Sequence, residues 1–377
     1  MRRAALALAM VGATPAHALW AKQGEAAGAA LDGSVRSFGL ISRDADLDTG
    51  ASLHRLRLTL DGWVGQHLSW QVAGEGVVQV GQTVAPALAP ATALRLIDLG
   101  GAHAGDDYAL RPDLDRAYAG AKLGSVELRA GRQAIGHGSA RALPSGDIFA
   151  PFPGFALDTE YKRGVDAGRV IVTLGPLSEV EALAVARQDD AARGLFLARA
   201  RTQVWGVDVS GFAGSTYREA TLALDLQGDL GGAGWYVDAL DRPSLGFAGV
   251  RATAGASYRF DVDVTLTGEA HLDGGGATSR SGYAAAAERL GAAEGESFLR
   301  ARGYGALLAD YPLTPLLTVG LGWFQNLVDG SVLLSPALRW DVGQETVIDL
   351  GALWALGDED AEFRDAVIVH GDLRVYF

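Results

Sequence analysis

The sequence has 377 residues, 49% of them hydrophobic, and a formal net charge of −13. The absence of cysteine excludes disulfide scaffolds, Cys-ligated metal centres and thiol catalysis, and the acidic balance excludes a general nucleic-acid binder. The apolar fraction excludes a disordered chain, and the 51 glycines, about twice ordinary usage, follow no collagen period.

Residues 1–18 read MRRAALALAMVGATPAHA. Arg2 and Arg3 form a basic start, Ala4 to Ala13 a short apolar run, and Ala16-His17-Ala18 a small-x-small cleavage pattern. These are the three parts of a secretory signal, and the run is too short to span a bilayer. The expected mature domain is residues 19–377, exported to the envelope of a double-membraned bacterium. No later stretch holds about 18 uncharged apolar residues in a row, so a membrane crossing here requires a closed β-barrel.

From residue 32 onward the hydrophobic period is two. Leu56, Leu58 and Leu60 alternate with Arg55, Arg57, Thr59 and Asp61. Further on, Leu222, Leu224 and Leu226 alternate with Thr221, Asp225 and Gln227, and Val262, Val264 and Leu266 with Asp263, Thr265 and Thr267. This is the half-buried strand pattern. About eighteen such segments, mostly of roughly 9–13 residues, match the strand length of outer-membrane barrels. They are expected near 32–42, 52–63, 66–79, 115–122, 125–133, 164–173, 178–187, 193–201, 203–213, 218–227, 233–241, 247–258, 260–272, 298–311, 316–328, 331–343, 345–357 and 364–377. With the N-terminus on the periplasmic side, the long gaps 80–114, 134–163 and 273–297 all fall at the outer end, as an up-and-down barrel requires. The expected fold is thus an all-β, transmembrane, antiparallel up-and-down barrel of about 18 strands, with 16 as the alternative.

At the C-terminus, Phe377, Val375, Leu373, Gly371, Val369 and Val367 share one face and Arg374, Asp372 and His370 the other. A terminal aromatic after alternating apolar residues resembles the sorting signal of bacterial outer-membrane barrel proteins. That resemblance implies an assembly signal at Phe377, Val375 and Leu373, read by the barrel-assembly machinery.

Turning the polar faces inward gives a mixed lumen. Its candidates for setting selectivity are Arg55, Arg57, Arg129, Arg251, Arg300, Arg302, Arg339, Glu75 and Glu269. Two arrangements are open: charges paired across the wall, or an electropositive track for anions, which Arg suits because it binds carboxylate and phosphate bidentately. The gap 134–163 is apolar and stiffened by Pro144, Pro151 and Pro153. Folded into the mouth it would narrow the pore, with Asp147, Phe149, Phe152, Asp158, Glu160, Lys162 and Arg163 as constriction candidates; the alternative is an ordinary surface loop.

The run Glu127-Leu128-Arg129-Ala130-Gly131-Arg132-Gln133, then Gly136-His137-Gly138 and Gly164-Val165-Asp166, resembles the alginate-export type of outer-membrane barrel. The resemblance implies an 18-stranded barrel passing an anionic polysaccharide.

No G-x-S-x-G elbow or H-E-x-x-H pair occurs, so passage rather than catalysis is expected. The acidic patches Gly105-Asp106-Asp107 and Gly357-Asp358-Glu359-Asp360 lack calcium-loop spacing and read as solvated tips. No metal and no cofactor is expected. The expected function is a channel for hydrophilic solutes. The alternatives are a structural sheath or anchor for a periplasmic, secretion or cytochrome partner, or a general diffusion porin. The expected partners are outer-membrane lipids and lipopolysaccharide, the assembly machinery and a periplasmic export partner.

Overall fold

A computed structural model describes residues 18–24, 26–44, 48–81, 94–96, 103–105 and 108–377. Apart from Ala18, the secretory signal lies outside the described residues, as do Asp106 and Asp107.

The chain enters the sheet as β1 (Ala27–Asp44), β2 (Asp48–Val64), β3 (Leu68–Gly81), β4 (Tyr108–Leu123), β5 (Val126–Gln133) and β6 (Val165–Gly175). It continues as β7 (Ser178–Val185), β8 (Leu195–Val204), β9 (Val207–Thr216), β10 (Glu219–Leu230), β11 (Ala233–Asp241) and β12 (Arg251–Arg259). It ends with β13 (Thr265–Asp273), β14 (Gly303–Thr314), β15 (Leu317–Asn326), β16 (Val332–Asp341), β17 (Thr346–Leu356) and β18 (Ala366–Tyr376). Each pairs antiparallel with the next, and β18 pairs back onto β1. Two short pieces, Trp20–Gln23 and His103–Ala104, lie alongside β1 and β4. Among the described residues the barrel is therefore closed by 18 strands, which decides against 16. Closure removes the unpaired edges that lipid could not satisfy.

The sequence alternation sets which side chains face out. Val35, Ile41, Leu56, Leu58, Val72, Leu222, Leu224, Val369 and Leu373 are all exposed on the outer face. Polar residues and the buried Phe38, Leu53 and Phe212 face in. An apolar exterior over a polar interior is the arrangement a bilayer imposes. Trp70, Trp235 and Trp340 stand outward near one end, and Trp323 and Trp354 nearer the other, at the levels where indole rings meet headgroups.

The two ends differ. At one end the connections are short: residues 65–67, 124–125, 176–177, 205–206, 231–232, 260–264, 315–316 and 342–345. Gly231 and Gly232 both take positive φ, 62° and 85°, as a two-residue hairpin turn requires. The long connections 134–164 and 274–302 lie at the other end, where β3 also ends and β4 begins.

Several expected strand boundaries move. β4 begins at Tyr108 and not at 115, β12 at Arg251 and not at 247, and β13 at Thr265 and not at 260. Val262 and Val264, expected in a strand, therefore lie in the connection 260–264. Residues 298–302 alternate and read as the start of a strand, yet β14 begins at Gly303. Ala301 instead bridges to Ala277 within the same connection, and Tyr304 Oη accepts the N–H groups of Arg300 and Ala301 at 2.9 and 2.5 Å. Arg300 and Arg302 are thus in a long end loop and not in the lumen wall, a correction to their expected place; Arg302 lies over the Phe247 ring at 5.6 Å.

Candidate functional site

The residues 134–164 turn into the barrel and cross it. Three apolar contacts seat them. Ile135, Ile148 and Phe149 pack against Leu183, Leu195, Leu197, Phe212 and Leu240 of β7 to β11. Ala142 and Leu143 pack near Tyr304, Ala306, Phe324 and Leu333 of β14 to β16, with Phe155 beside them. Leu157 packs on Phe38, Leu40, Leu53 and Val77 of β1 to β3. Phe149 is fully buried, and each large side chain buried this way contributes about 1.5–3 kcal/mol. These are the apolar residues that could not have stayed in water.

Polar latches repeat the arrangement. On one wall, carboxylates accept backbone N–H groups of the segment. Glu269 of β13 takes those of Arg141, Ala142 and Leu143 at 2.6, 3.1 and 2.8 Å, together with the Tyr236 hydroxyl at 2.6 Å. Asp238 of β11 takes those of Ser145 and Gly146 at 3.1 and 2.9 Å. Ser145 Oγ also meets Thr253 Oγ1 at 2.8 Å and His271 Nδ1 at 3.2 Å. This Ser–Thr–His contact is wholly buried and ties the segment to β12 and β13.

On the opposite wall the polarity reverses, and arginines bind carboxylates of the segment. Arg36 of β1 and Arg55 of β2 hold Asp158 at 2.5 and 2.8 Å, and Arg55 also holds Glu160. Arg116 of β4 donates to the Lys162 carbonyl at 2.5 Å. Tyr161 stacks under Arg57 and Arg55, 4.1 and 5.1 Å from ring centroid to guanidinium carbon, at cation–π range. Burial pushes the Asp158 carboxyl up, but Arg36 and Arg55 outweigh it and hold the group below its usual range. Asp147 pairs with Lys162 inside the segment and accepts the Phe149 N–H at 3.0 Å.

The base of the segment is clamped by the run Gly131-Arg132-Gln133 and by Asp166. Arg132 donates to both Asp166 oxygens at 2.8 and 3.0 Å and to the Leu114 carbonyl at 2.8 Å. The Gln133 amide donates to the Ala167 carbonyl at 3.1 Å. Gly131 has φ +117°, and a Cβ there would strike the Ala117 carbonyl, so only glycine fits. His137 sits between the Phe149 and Phe212 rings, with no protein partner for either ring nitrogen among the described residues. Burial first, then Arg199, Arg169 and Lys162, push it down to about 3, so it is neutral near pH 7.

The remaining candidates divide between latch and wall. Glu75 and Asp115 both face Arg57, at 3.6 and 2.7 Å. Arg129 pairs with Glu127 at 2.6 Å and lies over Tyr118. Arg339 stands near the short-turn end, exposed, 3.4 Å from Asp341. Arg251 is at the loop end, where Glu296 bridges it to Arg242, both at 2.7 Å. Phe152 is half-buried within the segment, and Arg163 lies among Arg111, Arg95, Asp113 and Glu75. The lumen arginines therefore stand in paired networks, and several of their partners come from the inward segment, not from neighbouring strands. Arg36, Arg95, Arg242 and Glu296 belong to these networks without having stood out in the sequence. Asp358 and Asp360 bind Arg280 of another loop at 2.7 and 2.5 Å.

No family model and no curated protein matches the sequence. Solved structures do resemble the fold. The outer membrane protein OprD from Pseudomonas aeruginosa matches with a TM-score of 0.59 at 11% identity, over 93% of each chain. Acinetobacter baumannii OccAB1 matches with a TM-score of 0.58 at 10% identity, over 95% of this chain and 99% of that one. Wzi, an outer membrane protein described as a carbohydrate-binding β-barrel of Escherichia coli capsule assembly, matches with a TM-score of 0.53 at 11% identity, over 91% and 84%. The chain thus has the porin-like barrel fold. These likenesses do not carry the resemblance to alginate-export barrels, whose residues here clamp the base of the inward segment.

Proposed function

We propose that the chain is an outer-membrane channel for small hydrophilic solutes, with residues 134–164 as its constriction and anionic solutes favoured by the arginines of β1, β2 and β4. The observation that carries this reading is the inward segment itself, seated on three walls by packing and on two by opposite-sense polar latches. A barrel of this size without such a segment leaves an aqueous channel, so the segment determines what passes. The signal-like residues 1–18 and the apolar exterior support an outer-membrane location, with the lipids and lipopolysaccharide there as surroundings. Export of an anionic polysaccharide would ask for a lumen open to an extended polymer, and the anchored segment supports small solutes instead. Passage, not catalysis, is the role that this arrangement supports.

The test is conductance of the purified, refolded barrel in a planar bilayer. Steady single-channel currents with anion preference are expected. A correctly folded barrel that carries no current would overturn the channel reading.

A further inference from the structure

The latter half of the inward segment is held differently from the first. Ser145 and Phe149 are completely buried, whereas residues 157–163 are part-buried, with Thr159 exposed, and are fixed largely by ion pairs. In those pairs the arginines are the hidden members and Asp158 the open one. The Arg36 and Arg55 side chains are 4% and 6% exposed, and that of Asp158 is 37% exposed. Each Asp158 oxygen takes one guanidinium, while Glu160 takes Arg55 with one oxygen and the Tyr376 hydroxyl, at 2.9 Å, with the other. Among the described residues Arg55 has no other carboxylate at ion-pair distance, whereas Arg36 keeps Asp372 at 2.8 Å. Beside this cluster a cavity of about 180 Å³ is lined by Asp32, Ser34, Arg57, Thr59, Tyr161 and Tyr376. Arg57 reaches Glu75 and Asp115 through Nη1, and its Nε is buried without a hydrogen-bond partner among the described residues.

We propose that Asp158 and Glu160 are a tethered competitor for the channel's own arginine site. They occupy the positions that a solute carrying two carboxylates would take on Arg36 and Arg55, and so set how strongly such solutes are held. The inference rests on the anionic-solute reading above and names its specificity-determining residues. Arginine pairs with a segment carboxylate and with a solute carboxylate by the same geometry, so the two exclude each other. A dicarboxylate that displaces Asp158 and Glu160 also frees Tyr161 and gains the adjoining cavity.

The test uses the full barrel in detergent and in planar bilayers, with succinate as the probe and succinamide as its uncharged control. The variant Asp158→Asn/Glu160→Gln removes the competitor and keeps its shape. Calorimetry should show succinate bound at least about tenfold more tightly than by the parent, with succinamide unchanged, a difference of about 1.4 kcal/mol. The reversal potential in a salt gradient should move toward anion selectivity. Glu127→Gln, which neutralises a lumen carboxylate paired elsewhere, should give no gain. Equal succinate affinity in parent and variant, with an unmoved reversal potential, overturns the competitor while leaving the channel reading intact. Tighter succinate binding in a variant that conducts nothing supports the competitor and sinks the channel reading. If the double variant fails to fold, Asp158→Asn alone should show a smaller gain, and a folded single variant with no gain overturns the proposal.

Discussion

Leu143 donates its backbone N–H to Glu269 at 2.8 Å, although 126 residues separate the two along the chain. Glu269 is a wall residue whose charge holds the inward segment. Three successive N–H groups and the Tyr236 hydroxyl converge on it, and bonds to a charged acceptor contribute about 1.5–3 kcal/mol each. Glu269→Ala should therefore loosen this half of the segment. The expected results are trypsin cleavage after Arg141 and a higher single-channel conductance, with Glu269→Gln intermediate. A bond after Arg141 that stays resistant in the alanine variant would show that packing alone seats the segment.

A second prediction concerns the loop end. Glu296 is fully buried and bridges Arg242 and Arg251, while Glu294 on the same connection binds Arg187 and Arg193. Removing one partner of a buried pair costs about 3–5 kcal/mol, because the other charge is left without compensation. Glu296→Ala should release residues 274–302, seen as faster amide exchange there with the β-ladders unchanged. Uniform protection across that connection would mean that Arg289, bound to Asp273 at 2.5 Å, is sufficient to hold it.

The pH dependence of the Asp158 latch follows from its sign. The folded carboxyl lies below its usual value, since Arg36 and Arg55 outweigh burial. The pairing therefore contributes stability above the unfolded pKa of about 3.9 and loses it only as pH falls through the lower folded value. The difference in reversal potential between the parent and Asp158→Asn should stay level from about pH 7 to pH 5 and close only in stronger acid. A difference that titrates away near pH 6 would contradict this assignment.

The fold was legible because a barrel wall repeats one signal. Every expected segment has its strand, and the outward face of β2 reads directly as Leu56, Leu58 and Leu60. The site was legible only in part. Residues 134–163 stood out through their prolines and phenylalanines, but their partners did not. Arg36 was hidden because its inward neighbours Phe38 and Leu40 are apolar, placed there to receive Leu157, while Ser37 and Gly39 face out. Glu296 and Arg242 come from separate connections, where no periodicity marks a meeting. Arg300 and Arg302 misled because a ribbon inside a loop alternates just as a wall strand does.

The last prediction is at the seam. Phe377 donates its N–H to the Gly33 carbonyl at 2.9 Å and accepts the Gly33 N–H at 2.7 Å, the final ladder pair between the two ends of the chain. A Cβ on Gly33 would lie 2.8 Å from Phe377 Cε2, 2.9 Å from the Arg57 carbonyl oxygen and 2.9 Å from Leu58 Cδ2. Two of those atoms belong to β2, so the crowding involves a third strand and not only the terminal ring. Gly33→Ala should cost about 1–3 kcal/mol at closure, the usual range for overpacking. Deleting Phe377 should remove the ladder pair itself and leave Val375 and Leu373 as the last outward residues of β18. Both variants are expected to lower the yield of heat-modifiable barrel in the outer membrane. If Gly33→Ala assembles normally and the Phe377 deletion does not, the terminal aromatic acts as a recognition element for assembly, independent of how tightly the seam closes. If both assemble normally, neither the seam nor the signal role of Phe377 stands.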